Sequence, residues 1–114
     1  MKIWSADSME IQSILICITT TDSLERAKHI TQTLLNEKLA ACISVSEVKS
    51  SYWWKGKIEN SKEFLLIIKS FPELKEKLEK RIKEIHNYSV PEIIFFEGHA
   101  SKPYLDWLFH SLSK

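Results

Sequence analysis

Two cysteines and four histidines are the side chains of this sequence with the chemistry of soft-metal ligands or nucleophiles. Cys17 lies within the apolar run Ile14-Leu15-Ile16-Cys17-Ile18, and Cys42 follows Leu39-Ala40-Ala41. The two form no C-x-x-C and no zinc-ligand set. A cysteine inside an apolar strand reads first as a small core residue. A nucleophile pair of Cys17 with His86 would need the thiol exposed in an electropositive cleft, and a buried strand argues against it. His86 stands at a helix end, where the dipole favours it. His29 sits on a polar helix face and reads as solvated. His99 and His110 read as no site, and Cys42 as packing. With only Gly56 and Gly98 in the chain, no glycine-rich phosphate loop is available. The residue inventory points away from an enzyme.

Bulk properties narrow the partners. The chain has 114 residues, one domain by length. Hydrophobic residues make up 44% and charged residues 27%, an ordinary globular balance. Sixteen basic residues against fifteen acidic ones leave a net charge of +1, without the basic field that nucleic acid or a membrane surface would call for. Two unpaired cysteines suit a reducing, cytoplasmic compartment. Residues 1–10, MKIWSADSME, are polar and uneven, and read as a loosely ordered N-terminus that is neither signal peptide nor membrane anchor. The single domain is expected over residues 11–114.

The elements that must position these residues follow from periodicity. The run 14–18 is short, apolar and β-branched, which suits a buried first strand. Thr21-Asp22-Ser23 stops it, with Glu25 in capping-box position relative to Asp22. Leu24, Ala27, Ile30, Leu34 and Leu35 then recur at helical spacing, so a helix is expected to about Lys38. Cys42 to Trp54 reads as a long strand in which Val48 is out of phase with Ile43 and Val45, a switch that predicts a β-bulge near Ser46-Glu47. Lys55-Gly56 marks the turn, and residues 57–69 return as a strand. After Pro72, Leu74, Leu78, Ile82 and Ile85 define an amphipathic helix. Ile93 to Phe96 is a fourth strand, and Pro103 to Leu108 a short terminal helix. The order βαββαβ is the split βαβ of an α+β, ferredoxin-like sandwich with a long β-hairpin, its two helices on one face of the sheet.

Two features then ask for self-association. An antiparallel sheet with one wet face should alternate apolar and polar residues, yet three strands carry continuous apolar runs. The second face must be covered by something beyond the chain. A strand from Cys42 to Trp54 would also extend about 43 Å, against a compact domain with a radius of gyration of about 13 Å. The Tyr52-Trp53-Trp54 tip should overhang its own domain.

Segment by segment, Ala40-Ala41-Cys42-Ile43, Tyr52-Trp53-Trp54-Lys55-Gly56-Lys57-Ile58-Glu59, Leu65-Leu66-Ile67-Ile68-Lys69, His86-Asn87-Tyr88-Ser89-Val90-Pro91-Glu92-Ile93-Ile94 and Tyr104-Leu105-Asp106-Trp107 resemble the signature segments of the CutA family of divalent-cation tolerance proteins. The resemblance spans nearly all of residues 11–112. It implies a ferredoxin-like homotrimer, related in architecture to PII signalling proteins, with copper or another divalent metal ion as ligand. It implies Cys17 and His86 as the metal ligands, and thiolate with imidazole does suit copper. Two donors cannot complete a tetrahedral site, so water or another subunit would contribute. Two departures stand out. Ser46-Glu47-Val48 replaces the Pro-Gly interruption often seen in the second strand, one residue shorter, and Asn87 replaces the proline after the histidine. The competing reading is a PII-like signalling module. There Tyr52, Trp54, Glu59, Lys69 and Tyr88 would form a subunit-interface cleft for a small anion or nucleotide; otherwise they are interface aromatics and rim charges.

Overall fold

The computed structural model describes residues 13–113; the expectation of a loosely ordered stretch at residues 1–10 lies outside them. Eight segments follow in chain order. They are β1 (Ser13–Thr21), α1 (Leu24–Asn36), β2 (Cys42–Trp54), β3 (Lys57–Ser70), a 3-10 turn (Pro72–Leu74), α2 (Lys75–Ile85), β4 (Ile94–His99) and α3 (Lys102–Leu112). All pairings are antiparallel in the order β2-β3-β1-β4. This is the expected ferredoxin-like sheet.

Alternation assigns the two faces. Leu15 and Cys17 of β1, Leu66 and Ile68 of β3 and Phe95 of β4 point to the helices. There they meet Ala27, Ile30 and Leu34 of α1 and Leu78, Ile82 and Ile85 of α2. Both helices therefore cover one face, each through an apolar stripe at helical spacing. The N-cap of α1 is Ser23, one residue later than the capping box on Asp22 suggested: its Oγ accepts the Arg26 backbone N–H at 3.1 Å. The helix closes at Asn36 rather than near Lys38. Lys38 adopts a left-handed φ of 61°, its N–H donates to Leu35, and that of Leu39 donates to Leu34, the double reversal of a Schellman turn.

The long hairpin is present, but the bulge is not. Pairing runs unbroken from Cys42↔Lys69 to Trp54↔Lys57. Ile43 and Val45 face the helices, whereas Val48, Tyr52 and Trp54 face the other side. Apolar residues on both faces of one regular strand mimic the phase switch of a bulge. Lys55 and Gly56, with φ of 51° and 79°, close the hairpin in a two-residue turn, the twist-matched kind in which both residues are left-handed. The hairpin outruns β1, whose last pair is Thr21↔Phe64. The molecule measures 53 × 25 × 21 Å with a radius of gyration of 15.7 Å, beyond the roughly 13 Å of a compact chain this long.

The second face corrects one expectation in part. The chain does supply some cover: α3 lays Leu105 and Leu108 against Ile14, with Ile16, Ala41 and Phe71 around them. Beyond the helix, Ile94 and Phe96 remain 47% and 51% exposed.

Candidate functional site

Cys17 is flanked on its strand face by Ile68 and Phe95 and is wholly buried in the core cluster. Burial, with a smaller contribution from the Glu79 carboxylate, pushes its thiol from 9.0 up to about 12. It is a protonated core residue.

His86 caps the C-terminus of α2, and both ring nitrogens are occupied. The Tyr88 backbone N–H donates to Nδ1 at 3.0 Å, and Nε2 lies 2.8 Å from the Thr20 carbonyl oxygen. A backbone N–H can only donate and a carbonyl can only accept. Together the two partners place the ring proton on Nε2 and leave no lone pair free. The ring meets β1 at Thr20, three residues or about 10 Å along the strand from Cys17. The structure therefore does not bring the implied pair together, and this donor set does not fit a metal ion. Among the described residues, no three His, Cys, Asp or Glu side chains gather into a metal-holding group.

The remaining thiol and imidazoles are scattered. Cys42 is partly exposed at the start of β2, with Lys69 Nζ at 3.7 Å from its sulfur. It also helps burial hold the Tyr104 phenol above its ordinary range. His29 and His99 are solvent-facing, and His110 Nδ1 lies 2.7 Å from the Asp106 carbonyl oxygen one turn back along α3.

The five residues of the expected anion cleft are spread along the hairpin. Tyr52 faces Glu59 across the hairpin, and Trp54 faces Lys57 two pairs further out. The hydroxyls of Tyr52 and Ser61 are 3.3 Å apart. Tyr88 comes to β3 from the loop after α2, nearer the base of the hairpin, donating to Glu63 Oε2 at 2.8 Å. Burial first, then the Glu63 carboxylate, holds the Tyr88 phenol well above its ordinary range, with Asp22 and Tyr52 adding to the effect. Lys69 lies elsewhere: it is six residues, about 20 Å, along β3 from Glu63, where Nζ donates to Ser44 Oγ at 3.0 Å. Tyr88 alone of these aromatics bonds a carboxylate, Tyr52 and Trp54 lie further out toward the hairpin tip, and the cation of the set is engaged at the other end of the strand.

Glu63 was missed by sequence reasoning, although a signal existed. A two-residue turn at Lys55-Gly56 sets the register, which puts residues 57, 59, 61 and 63 on the same side as Tyr52 and Trp54. Asn87 fastens the backbone that presents His86: its side chain donates to Asp22 Oδ1 at 3.1 Å and its Oδ1 lies 3.3 Å from Thr21 Oγ1.

Comparison with known proteins places this architecture. The sequence profile described as CutA1 divalent ion tolerance protein matches residues 15–111. The chain is 41% identical over 102 residues to the divalent-cation tolerance protein CutA of Pyrococcus horikoshii, covering 89% of this chain and 100% of that one. A crystal structure of CutA1 from the same organism overlays with a TM-score of 0.84 at 40% identity, covering 88% and 99% of the two chains. The structure described as the periplasmic divalent cation tolerance protein CutA from Archaeoglobus fulgidus gives 0.84 at 35% identity, with 88% and 99% covered. The chloroplastic CutA 1 of Oryza sativa is 38% identical over 107 residues, which are 91% of this chain and 59% of that longer one. Profile, identity and fold agree along almost the whole described chain, and it belongs to the CutA1 family of divalent ion tolerance proteins.

Proposed function

We propose that the chain serves divalent-cation tolerance without catalysis, as a cytoplasmic homotrimer whose physiological ion is copper or a similar divalent metal. The observation that carries the reading is the form of the molecule. A 53 Å body projects a regular hairpin past its own sheet and leaves half of a second apolar face bare, a shape that suits assembly. The trimer is what the family resemblance implies. Two free cysteines support a reducing compartment, and no helix among the described residues is long and apolar enough to cross a membrane.

The alternative, a signalling module taking a small anion or nucleotide, draws on Tyr52 and Tyr88 standing near one another on the hairpin. The Glu63 carboxylate that Tyr88 bonds repels an anion, so the tolerance reading is preferred. The test is growth of a host lacking its own family member across copper, zinc and cobalt series, with this chain supplied or withheld. Tolerance restored for copper, with Kd from isothermal titration in the same metal order, is the expected result. Unchanged growth in every metal, together with micromolar binding of a nucleotide, would transfer the assignment to the signalling module.

A further inference from the structure

The donors that the family resemblance implies are the ones this fold has already committed. His86 can give a metal ion Nδ1 only by releasing the Tyr88 N–H, and Nε2 only by moving its proton and releasing the Thr20 carbonyl. An unpaired backbone group in a part-buried loop opposes either exchange. Cys17 could ligate only as a thiolate, and its side chain is wholly enclosed among apolar core residues. Both residues are fully accounted for by structure.

His86 also belongs to a set of ties along one short segment. Arg26 Nη1 of α1 donates to the Ile85 carbonyl at 3.0 Å, holding the end of α2. His86 then reaches Thr20, Asn87 reaches Thr21 and Asp22, and Tyr88 reaches Glu63 at the base of the overhanging hairpin. The ring stacks at a tilt on Tyr88, centroids 4.9 Å apart, while accepting that residue's own N–H. Tyr88 is thus aimed by His86.

We infer that in this chain Cys17 and His86 are not metal ligands, and that His86 is a positioning residue that fastens the loop after α2 to the end of β1 and sets Tyr88 against Glu63. The inference holds whether or not the protein binds copper elsewhere, so its failure and that of the tolerance reading are separable.

The full chain, labelled with ¹⁵N at histidine, is titrated with zinc and, anaerobically, with cuprous ion, both diamagnetic. His86 is expected in the Nε2–H tautomer with Nδ1 accepting, and its ring signals stay in place through saturation of any metal signal. Movement of the His86 ring nitrogens with either ion overturns the inference. A second measurement addresses positioning. In His86→Ala the Tyr88 amide should exchange about tenfold faster than in the native chain, the effect of losing one ordinary hydrogen bond. His86→Asn, whose Oδ1 can accept the N–H two residues on, should restore that protection without supplying an imidazole. Equal Tyr88 protection in the native chain and His86→Ala would overturn the positioning role. Should the alanine variant not fold, the titration of the native chain still decides the ligand question.

Discussion

Cys17 stays a thiol because the core around it has no place for a charge, and this has a consequence for stability at alkaline pH. Between 9.0 and about 12, the unfolded chain has released the Cys17 proton while the folded chain still holds it. The folded state then binds more protons than the unfolded state, so stability falls as pH rises through that window and is unaffected below it. The slope from this one group is at most about 1.4 kcal/mol per pH unit. Cys17→Ala removes the titration, and its stability should decline less steeply than the native chain's between pH 9 and 11 in denaturant titrations. Parallel slopes would mean that the thiol ionises in place. Burial of Cys17 was legible in its flanks, because Ile16 and Ile18 on one face and Leu15 on the other leave no wet side to the strand. The partners of His86 were not. Thr20 lies 66 positions away along the chain, and a backbone carbonyl leaves no trace in residue type. The family resemblance implies these two side chains as a ligand pair, whereas the residues themselves already place Cys17 in the core and His86 at a helix end, where each has structural partners.

The elements whose ends depend on local geometry show the same division. Helix α1 was legible in its apolar spacing, but its stop was not, because Lys38 fills a left-handed position that is ordinarily glycine. The side chain there pays for a backbone conformation it disfavours. Lys38→Gly should therefore raise stability by about 1 kcal/mol; an unchanged or lower denaturation midpoint would show that the contact of Lys38 Nζ with the Ser111 carbonyl at 3.1 Å outweighs the strain. The hairpin turn obeys the same rule and was read correctly, since Gly56 occupies one of its two left-handed positions. A methyl group at Gly56 would meet nothing within 4 Å, so Gly56→Ala costs only backbone strain, about 1 kcal/mol. The tip lies far from either core cluster. That cost should appear as faster amide exchange at residues 54–57, with little change in the global midpoint. The bulge was misread for a different reason: period-two alternation identifies a buried face only when the other face is wet, and this hairpin is apolar on both.

At the scale of the whole molecule, the question is what the bare half of the second face is for. Strand register places Phe96, Ile16 and Lys69 in one row across it, and Ile94, Ile18 and Ile67 in the next. Helix α3 covers the end at Ile14 and stops, leaving Ile94 and Phe96 exposed on the side of the sheet that also carries Tyr52 and Trp54, with Ser46, Ser50, Ser61 and Glu63 between the two apolar patches. Exposed apolar patches of this kind mark interaction sites more often than they occur idly on a monomer. In the proposed trimer, the same surface on each copy is buried against its neighbours, and large aromatics contribute most where they are desolvated. The chain should therefore sediment as a trimer at micromolar concentration. Phe96→Glu places a carboxylate in the middle of the bare face and should shift the chain to monomer, since a charge buried without a partner is costly. Tyr52→Ala with Trp54→Ala should weaken the trimer at least tenfold in dissociation constant, as loss of two aromatic anchors implies. Lys80→Glu, on the solvent side of α2, should leave it intact. A native chain that sediments as a monomer would remove the assembly. A Phe96→Glu trimer as tight as the native one would show instead that the bare face stays in water and that copies meet elsewhere.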